Sequence, residues 1–88
     1  MKRFIINITG KVQGVWYRKS AQQKAKLLRL NGFAENKPNG TVYIEVEGDI
    51  ESIFHFVNWC KKGPDEANVE HVKMTEEKIF GYDSFEIK

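Results

Sequence analysis

The chain has little of several features that would point to particular classes of protein. Its 88 residues include one cysteine, Cys60, so neither an intrachain disulfide nor a metal cluster of several thiolates can form. No apolar run is long enough to span a membrane, and the apolar stretch near the basic N-terminus is too short for a signal peptide. These features fit a reducing compartment, so we expect the protein to be cytoplasmic and to have no membrane partner.

Low-complexity segments and internal repeats are also absent. The composition, with 41% hydrophobic and 30% charged residues, is that of an ordinary globular protein. A chain of 88 residues is long enough for one compact core and too short for two. We therefore expect residues 1–88 to form a single domain.

Positive charge is concentrated in the first half of the chain. Residues 1–40 hold nine Lys or Arg and one acid, a balance of +8, whereas residues 41–88 hold five bases and eleven acids, a balance of −6. The net charge of +2 is too small to indicate a nucleic-acid binder. If the protein binds a small anion, we expect the first half to bind it, although interleaved strands from both halves would weaken the contrast.

Apolar residues alternate, or recur at helical spacing, in seven segments, which predicts five strands and two helices. The order β-α-β-β-α-β with one added terminal strand indicates a ferredoxin-like α+β fold, in which an antiparallel sheet carries both helices on one face. The predicted elements are a strand at residues 2–9, a helix at about 17–30, a strand from Phe33, a strand at 41–48, a helix from Ile50, a strand containing Val69, Val72 and Met74, and a short strand containing Phe85 and Ile87.

Glycine, proline and short polar residues mark the predicted ends of these elements. Gly32 is expected to stop the first helix, Asp49 to cap the second, and Gly63-Pro64 to end it. Pro38-Asn39-Gly40 predicts a chain reversal between the second and third strands. The irregular apolar spacing of the fourth strand predicts a bulge.

The second helix is predicted to bury one apolar stripe, which consists of Ile50, Ile53, Phe54, Val57 and Cys60. Its aromatic residues are interpreted as core residues; these are Phe54, Phe56 and Trp59. His55 in this helix and His71 in the fourth strand show no metal-ligand spacing with Cys or with another His. We expect ordinary structural roles for both histidines.

The segment between the first strand and the first helix is suited to bind an anion. Gly10 and Gly14 let the backbone curl so that successive amides can face one point. Arg18 and Lys19 then fall in the first turn of the helix, where cations oppose the positive end of the helix dipole. A bound phosphate would reverse that effect, since it would accept from the loop amides and from the guanidinium together. The alternative is that Arg18 is an ordinary solvated arginine.

Two blocks of sequence resemble a known family. Residues 10–18, GKVQGVWYR, resemble the first signature of the acylphosphatase family, and residues 32–42, GFAENKPNGTV, are similar to its second. Residues 59–64 and 85–87 also resemble members of the family, so the likeness covers nearly the whole chain. Two ordered motifs are far more specific than one glycine motif. The family's ferredoxin-like fold agrees with the predicted order of elements.

The resemblance implies a hydrolase that cleaves the carboxyl-phosphate bond of a small-molecule acyl phosphate without a metal or other cofactor. Arg18 and Asn36 would be its catalytic residues, Arg18 holding the phosphoryl oxygens and Asn36 orienting the attacking water. The substrate-binding loop would consist of Gln13, Gly14, Val15, Trp16, Tyr17 and Arg18, with the amides of residues 14–18 contributing. Without the resemblance, Asn36 would be interpreted as a strand-end residue bonded to local backbone.

Two residues depart from the family pattern. Glu35 stands where relatives often carry a basic or neutral residue, and Asn39 stands where Asp is usual. Strand alternation is expected to point Glu35 away from Asn36, although its charge would weaken the long-range attraction of anions. Asn39 suits the turn as well as Asp does, so that change has no expected catalytic meaning. Trp16 and Tyr17 either shape the site or pack against the sheet.

Two other functions are compatible with this order of elements. An RNA-binding module would need stacking aromatics on its sheet, but Tyr43 is the sole aromatic of the third strand and Glu45 and Glu47 would repel a phosphate chain. We therefore expect no nucleic-acid partner. A phosphate-binding domain without turnover is the other alternative, and Asn36 is the residue that discriminates it. The expected oligomeric state is a monomer.

Overall fold

The computed structural model describes residues 1–88 as one five-stranded sheet with two helices packed on the same face. Neither helix has the length and apolar composition needed to cross a membrane. The elements are β1 (Lys2–Lys11), α1 (Tyr17–Leu27), β2 (Asn31–Asn36), β3 (Val42–Gly48), α2 (Ile50–Lys62), β4 (Asn68–Glu77) and β5 (Phe85–Ile87).

The strand order is β4-β1-β3-β2-β5, and the predicted ferredoxin-like α+β fold is confirmed. The first four strands form antiparallel pairs, as predicted. The sheet as a whole is mixed, however, because β5 runs parallel to β2 at the edge opposite β4. The chain reverses direction once after β4, in residues 78–84, and so reaches that edge in the same direction as β2.

The core lies between the sheet and the helices, and it is built by strand alternation. Ile6 and Ile8 of β1 share the inner face with Val42, Ile44 and Val46 of β3, as the alternation predicted. The helices cover them with buried apolar side chains; these are Ala21 and Ala25 from α1, and Ile53, Phe56, Val57 and Cys60 from α2. Close packing of α1 on the sheet fixes where its N-terminus lies, and the loop before it carries the site.

The end of the first helix differs from the prediction. α1 ends at Leu27, and Arg29 rather than Gly32 adopts the left-handed backbone that closes the helix, with φ of 59°. The amide of Leu30 donates to the carbonyl of Ala25 at 2.8 Å and that of Arg29 to the carbonyl of Lys26 at 3.1 Å, which is a Schellman closure. Gly32 lies inside β2, where a Cβ would come within 1.8 Å of the main-chain oxygen of Glu45.

The second helix buries only part of the apolar stripe predicted for it. The predictions that Phe54 and Ile50 lie in the core are wrong, because Phe54 is 52% and Ile50 36% exposed. The buried stripe is centred on Ile53, Phe56, Val57 and Cys60, which leaves Phe54 and Ile50 on its flank. Asp49 precedes the helix without a side-chain capping bond, and Gly63 ends it as expected, with φ of 68°.

The predicted bulge lies where β4 pairs with β1. Thr9 pairs with His71, but the next residue, Gly10, pairs with Val69, so Glu70 is the additional residue. Pairing continues past the bulge to Lys11, and β1 is therefore two residues longer than predicted. The extended strand brings the following loop to the edge of the helical layer.

The outer face of the sheet is crossed by residues 78–84, which we call the strap. Glu47 of β3, only 2% exposed, accepts hydrogen bonds from the main-chain amides of Phe80, Gly81 and Tyr82 in this strap. Burial acts to raise the pKa of Glu47, but these three amides and the nearby Arg3 lower it overall, to below its usual range. The ionised carboxylate therefore holds the strap on the sheet.

Glu47→Gln is expected to lower the free energy of unfolding by about 2 kcal/mol near pH 7, since charged acceptors form the stronger hydrogen bonds. A lowered pKa contributes stability above the ordinary carboxyl pKa, and this contribution is lost as the pH falls through the folded value. Urea unfolding should therefore show the difference from the parent shrinking between about pH 7 and about pH 3. The exposed Glu70, replaced in the same way, serves as the control. A difference that does not change with pH would contradict this role.

Candidate functional site

A cleft of about 470 Å³ lies where the loop after β1, the start of α1, the end of β2 and β5 meet. Five of the predicted site residues line it, namely Gly14, Trp16, Tyr17, Arg18 and Asn36. The other lining residues are Val12, Lys19 and Ile87. Residues from both sequence motifs are thus brought together by β1 and β2, which lie on either side of β3.

The loop before α1 is curled by two residues with left-handed backbone. Gly14 has φ of 74° and Trp16 has φ of 65°. A Cβ at Gly14 would meet no atom within 4 Å, so the backbone conformation rather than space favours glycine there. Alternation of left-handed and ordinary residues turns successive amides toward one side of the chain.

The main-chain amides of this loop are unpaired. Those of Gly14, Val15 and Trp16 donate to no acceptor in the chain, and those of Tyr17 and Arg18 are first-turn amides without an acceptor inside α1. The first turn also contains no acidic residue, and no side chain caps it. We call these five amides, from Gly14 to Arg18, the amide cradle. Its free donors and the positive end of the helix dipole make it suitable for an anion.

The Arg18 side chain is held beside the cradle by the C-terminal strand. Its Nη1 donates to the main-chain oxygen of Lys88 at 2.7 Å. That oxygen is in turn positioned by β5, because the amide of Lys88 donates to the carbonyl of Ala34 in β2 at 2.9 Å. A guanidinium has five N–H donors, so this contact leaves others free to bind an anion in the cleft.

Asn36 is the last residue of β2, and the oxygen of its side-chain amide accepts no hydrogen bond. The Oδ1 atom is buried without a hydrogen-bond partner. An unsatisfied buried acceptor costs about 1–3 kcal/mol, and one on a residue that lines a cleft requires an explanation. The alternative interpretation, in which Asn36 is bonded to local backbone, is not what the structure shows, because no backbone group donates a hydrogen bond to its Oδ1.

Gln13 and Val15 belong to the predicted loop, but their side chains do not line the cleft. The Nε2 of Gln13 donates to the main-chain oxygens of Lys37 and Thr41, at 2.8 and 2.9 Å, and so ties the loop to the turn between β2 and β3. This contact keeps Asn36 near the cradle. Val15 is 5% exposed and packs in the core, so it stands outside the cleft lining.

The two aromatic residues of the loop have different surroundings. Tyr17 is buried, and its hydroxyl donates to the main-chain oxygen of Cys60 at 2.7 Å, which joins α1 to α2. Burial raises the pKa of the Tyr17 phenol well above its ordinary value, so it stays neutral. Trp16 is 76% exposed at the rim of the cleft. Of the two possibilities left by the sequence, Tyr17 packs and Trp16 borders the site.

The lining of the cleft carries positive charge and no carboxylate, because Arg18 and Lys19 are its only ionisable groups apart from the Tyr17 phenol. Glu35 is directed elsewhere, as alternation predicted, and forms an ion pair with Lys37 at 3.0 Å. His55 and His71 are exposed outside the cleft. No group of three His, Cys, Asp or Glu side chains is placed to hold a metal ion.

The sequence did not identify Val12, Lys19 and Ile87 as cleft residues. The sequence predicted Lys19 in the first helical turn, but no sequence motif distinguishes a lysine that lines a site from a solvated one at that position. Ile87 reaches the cleft only because β5 pairs with β2 across more than fifty residues of sequence, and alternation within β5 cannot reveal that pairing.

Comparison with known proteins agrees with the fold and with the family resemblance. A family model described as Acylphosphatase matches residues 4–87. An acylphosphatase of Methylococcus capsulatus (strain Bath) is 43% identical over 81 residues, which cover 92% of this chain and 88% of the relative. The crystal structure of acylphosphatase from Bacillus subtilis superposes with a TM-score of 0.98 at 31% identity, covering 100% of this chain and 99% of that one.

The same fold also occurs inside a much larger protein. Full-length HypF, crystallised in a phosphate- and nucleotide-bound form, matches with a TM-score of 0.89 and 29% identity. The match covers 99% of this chain but only 12% of HypF. The present chain therefore corresponds to one small part of that protein and to almost the whole of the B. subtilis structure.

Proposed function

The chain belongs to the acylphosphatase family of hydrolases, and we propose that it cleaves the carboxyl-phosphate bond of acyl phosphates in the cleft beside Arg18. The observation that carries this proposal is the meeting of unpaired amides with two side chains. Arg18 and Asn36 line one cleft together with residues of the amide cradle, and the Oδ1 of Asn36 is buried without a hydrogen-bond partner. We also propose that it works as a cytoplasmic monomer, as expected from the sequence.

The cradle and Arg18 would bind the phosphoryl group. Three oxygens of a phosphoryl dianion can accept from several main-chain amides at the helix N-terminus and from the free N–H groups of Arg18. These donors are fixed by the loop and by the Lys88 contact before substrate arrives. Because they need no reorganisation, they can stabilise the charge that develops on the phosphoryl oxygens in the transition state.

Asn36 would orient the attacking water. Its Oδ1 has no protein partner, so it can accept one hydrogen of a water and direct the oxygen toward phosphorus. Positioning of this kind is a large part of catalysis in phosphoryl transfer, where attacking and leaving oxygens must lie roughly in line. A carboxamide performs this task without being ionised.

The reaction needs no strong acid from the protein, because the leaving group is a carboxylate, which is a weak base. The water oxygen forms a bond to phosphorus, the bond from phosphorus to the acyl oxygen breaks, and its electron pair leaves with the carboxylate. We propose that the water's proton passes to a phosphoryl oxygen of the substrate. The chain's own groups fill each role, so the proposed mechanism includes no metal and no cofactor.

Hydrolysis of benzoyl phosphate in water enriched with the heavy isotope of oxygen tests this proposal, with a metal chelator present. We expect catalysed turnover, with the label in inorganic phosphate as detected by phosphorus NMR, since water attacks phosphorus. Label in benzoate would show attack at the carbonyl carbon and contradict the role given to Asn36. Phosphate binding without turnover would instead support the alternative function, a phosphate-binding domain that does not hydrolyse its ligand.

A further inference from the structure

The exposed side chain of Trp16 is explained neither by folding nor by the proposed chemistry. Its side chain is 76% exposed, although large aromatic residues are normally buried. Its backbone has φ of 65°, a conformation that bulky residues rarely adopt and that concentrates at functional sites. Trp59, by contrast, packs against Tyr17 and Phe56, with ring centroids 5.3 and 6.1 Å away. Trp16 takes part in no aromatic pair.

The cleft is larger than the phosphoryl group requires. A water takes about 30 Å³ in the liquid, so a phosphoryl group with its attacking water occupies on the order of 100 Å³. The cleft measures about 470 Å³ and is in the size range of small-molecule sites. Most of its volume therefore remains for the acyl part of a substrate.

The groups that border the remaining space are largely apolar. The proposed mechanism already uses Gly14, Arg18 and Asn36 for the phosphoryl group and the water. Among the other lining residues are Trp16 and Ile87, which is 37% exposed at the end of β5. Lys19 is an exposed lysine, whose charge is screened by solvent and adds little binding energy.

We propose that Trp16 and Ile87 form a subsite for a flat apolar acyl group, so that aryl acyl phosphates are preferred over acetyl phosphate. This inference rests on the proposed function and names its substrate class. An indole face and a branched aliphatic side chain together cover an aromatic ring with little loss of conformational entropy, because both side chains have few rotatable bonds. The preformed left-handed backbone holds the indole at the rim before substrate binds.

The test compares kcat/KM for benzoyl phosphate and acetyl phosphate in the parent and in Trp16→Ala, Trp16→Phe and Ile87→Ala. Loss of one apolar contact surface typically changes discrimination by about tenfold, so Trp16→Ala should lower kcat/KM for benzoyl phosphate about tenfold and for acetyl phosphate less than threefold. Trp16→Phe should keep most of the preference, and Ile87→Ala should reduce it. Phe54→Ala, which removes another exposed aromatic outside the cleft, should change neither rate.

Equal losses for both substrates in Trp16→Ala would overturn the subsite, since Trp16 would then only shape the cradle. An unchanged ratio in all variants would overturn it as well. Binding of the non-hydrolysable analogues phenacylphosphonate and acetonylphosphonate separates this inference from the proposed function. If the parent hydrolyses neither acyl phosphate but binds phenacylphosphonate more tightly in a manner dependent on Trp16, the proposed function fails and the subsite stands. If the parent hydrolyses neither acyl phosphate and binds the two analogues equally, the proposed function and the subsite both fail.

Discussion

Replacing Arg18 with alanine is expected to lower kcat/KM for benzoyl phosphate by about 10³-fold or more, the usual effect of removing an arginine that stabilises a transferring phosphoryl group. The guanidinium is held by the Lys88 main-chain oxygen at 2.7 Å and lines the cleft beside the amide cradle. Alanine removes both its charge and its fork of donors. Steady-state kinetics with benzoyl phosphate measure the loss.

Two further variants define the role of Arg18. Arg18→Lys keeps the charge but not the planar fork, so it should recover only a small part of the activity. Arg29→Ala removes an exposed arginine at the other end of α1 and should leave kcat/KM within about twofold of the parent, since surface charges interact weakly over that distance. Urea unfolding should show Arg18→Ala to be folded, with the loss of about 1 kcal/mol expected for one hydrogen bond. Full activity in folded Arg18→Ala would contradict the proposed site.

Replacing Asn36 with alanine is expected to lower kcat about 10²-fold while KM changes less than about threefold, because in the proposed mechanism the carboxamide orients the water and does not bind the phosphoryl group. The same change should not lower the stability of the protein. The Oδ1 atom is buried without a partner, so its removal takes away a desolvated acceptor and leaves no protein group unpaired. A free energy of unfolding equal to that of the parent, or about 1 kcal/mol higher, is the expected result.

Asn58→Ala is the matched control, because Asn58 is an exposed asparagine of α2 outside the cleft. It should change neither kcat nor KM. A large rise in KM for Asn36→Ala, with kcat preserved, would mean that Asn36 binds substrate rather than directing water. A fall in stability without a fall in kcat would show the residue to be structural.

The inner face of the sheet and the curled loop before α1 followed from local patterns in the sequence. Alternation in β1 and β3 identified the buried faces correctly, because each strand has one face on the helices and side chains alternate with a period of two. The curl of the loop was predictable from Gly14, since its left-handed backbone is the one that glycine favours. Gly10, to which the same role was given, lies inside β1 and pairs with Val69. The expectation that the two motifs form one site came from the family resemblance and not from periodicity.

The parts that could not be predicted depend on contacts between residues far apart in the chain. Helical spacing alone did not show which side of α2 meets the sheet, so it predicted both Phe54 and Phe56 in the core, whereas only Phe56 is buried. Arg29 ends α1 in a conformation usually taken by glycine, because Leu30 is drawn into the core and closes the helix. β5 pairs parallel to β2, and this pairing brings Ile87 to the cleft. It cannot be predicted from the sequence of a strand of only three residues.

The most direct test of the central claim is a titration of the folded protein with inorganic phosphate, followed through the main-chain amide signals in NMR. The claim is that the cradle from Gly14 to Arg18 binds the phosphoryl group with the help of Arg18. It predicts saturable downfield shifts of these amides, with little change at the strap, and the loss of those shifts in Arg18→Ala. Shifts confined to another surface, or shifts at the cradle that persist unchanged in Arg18→Ala, would contradict it.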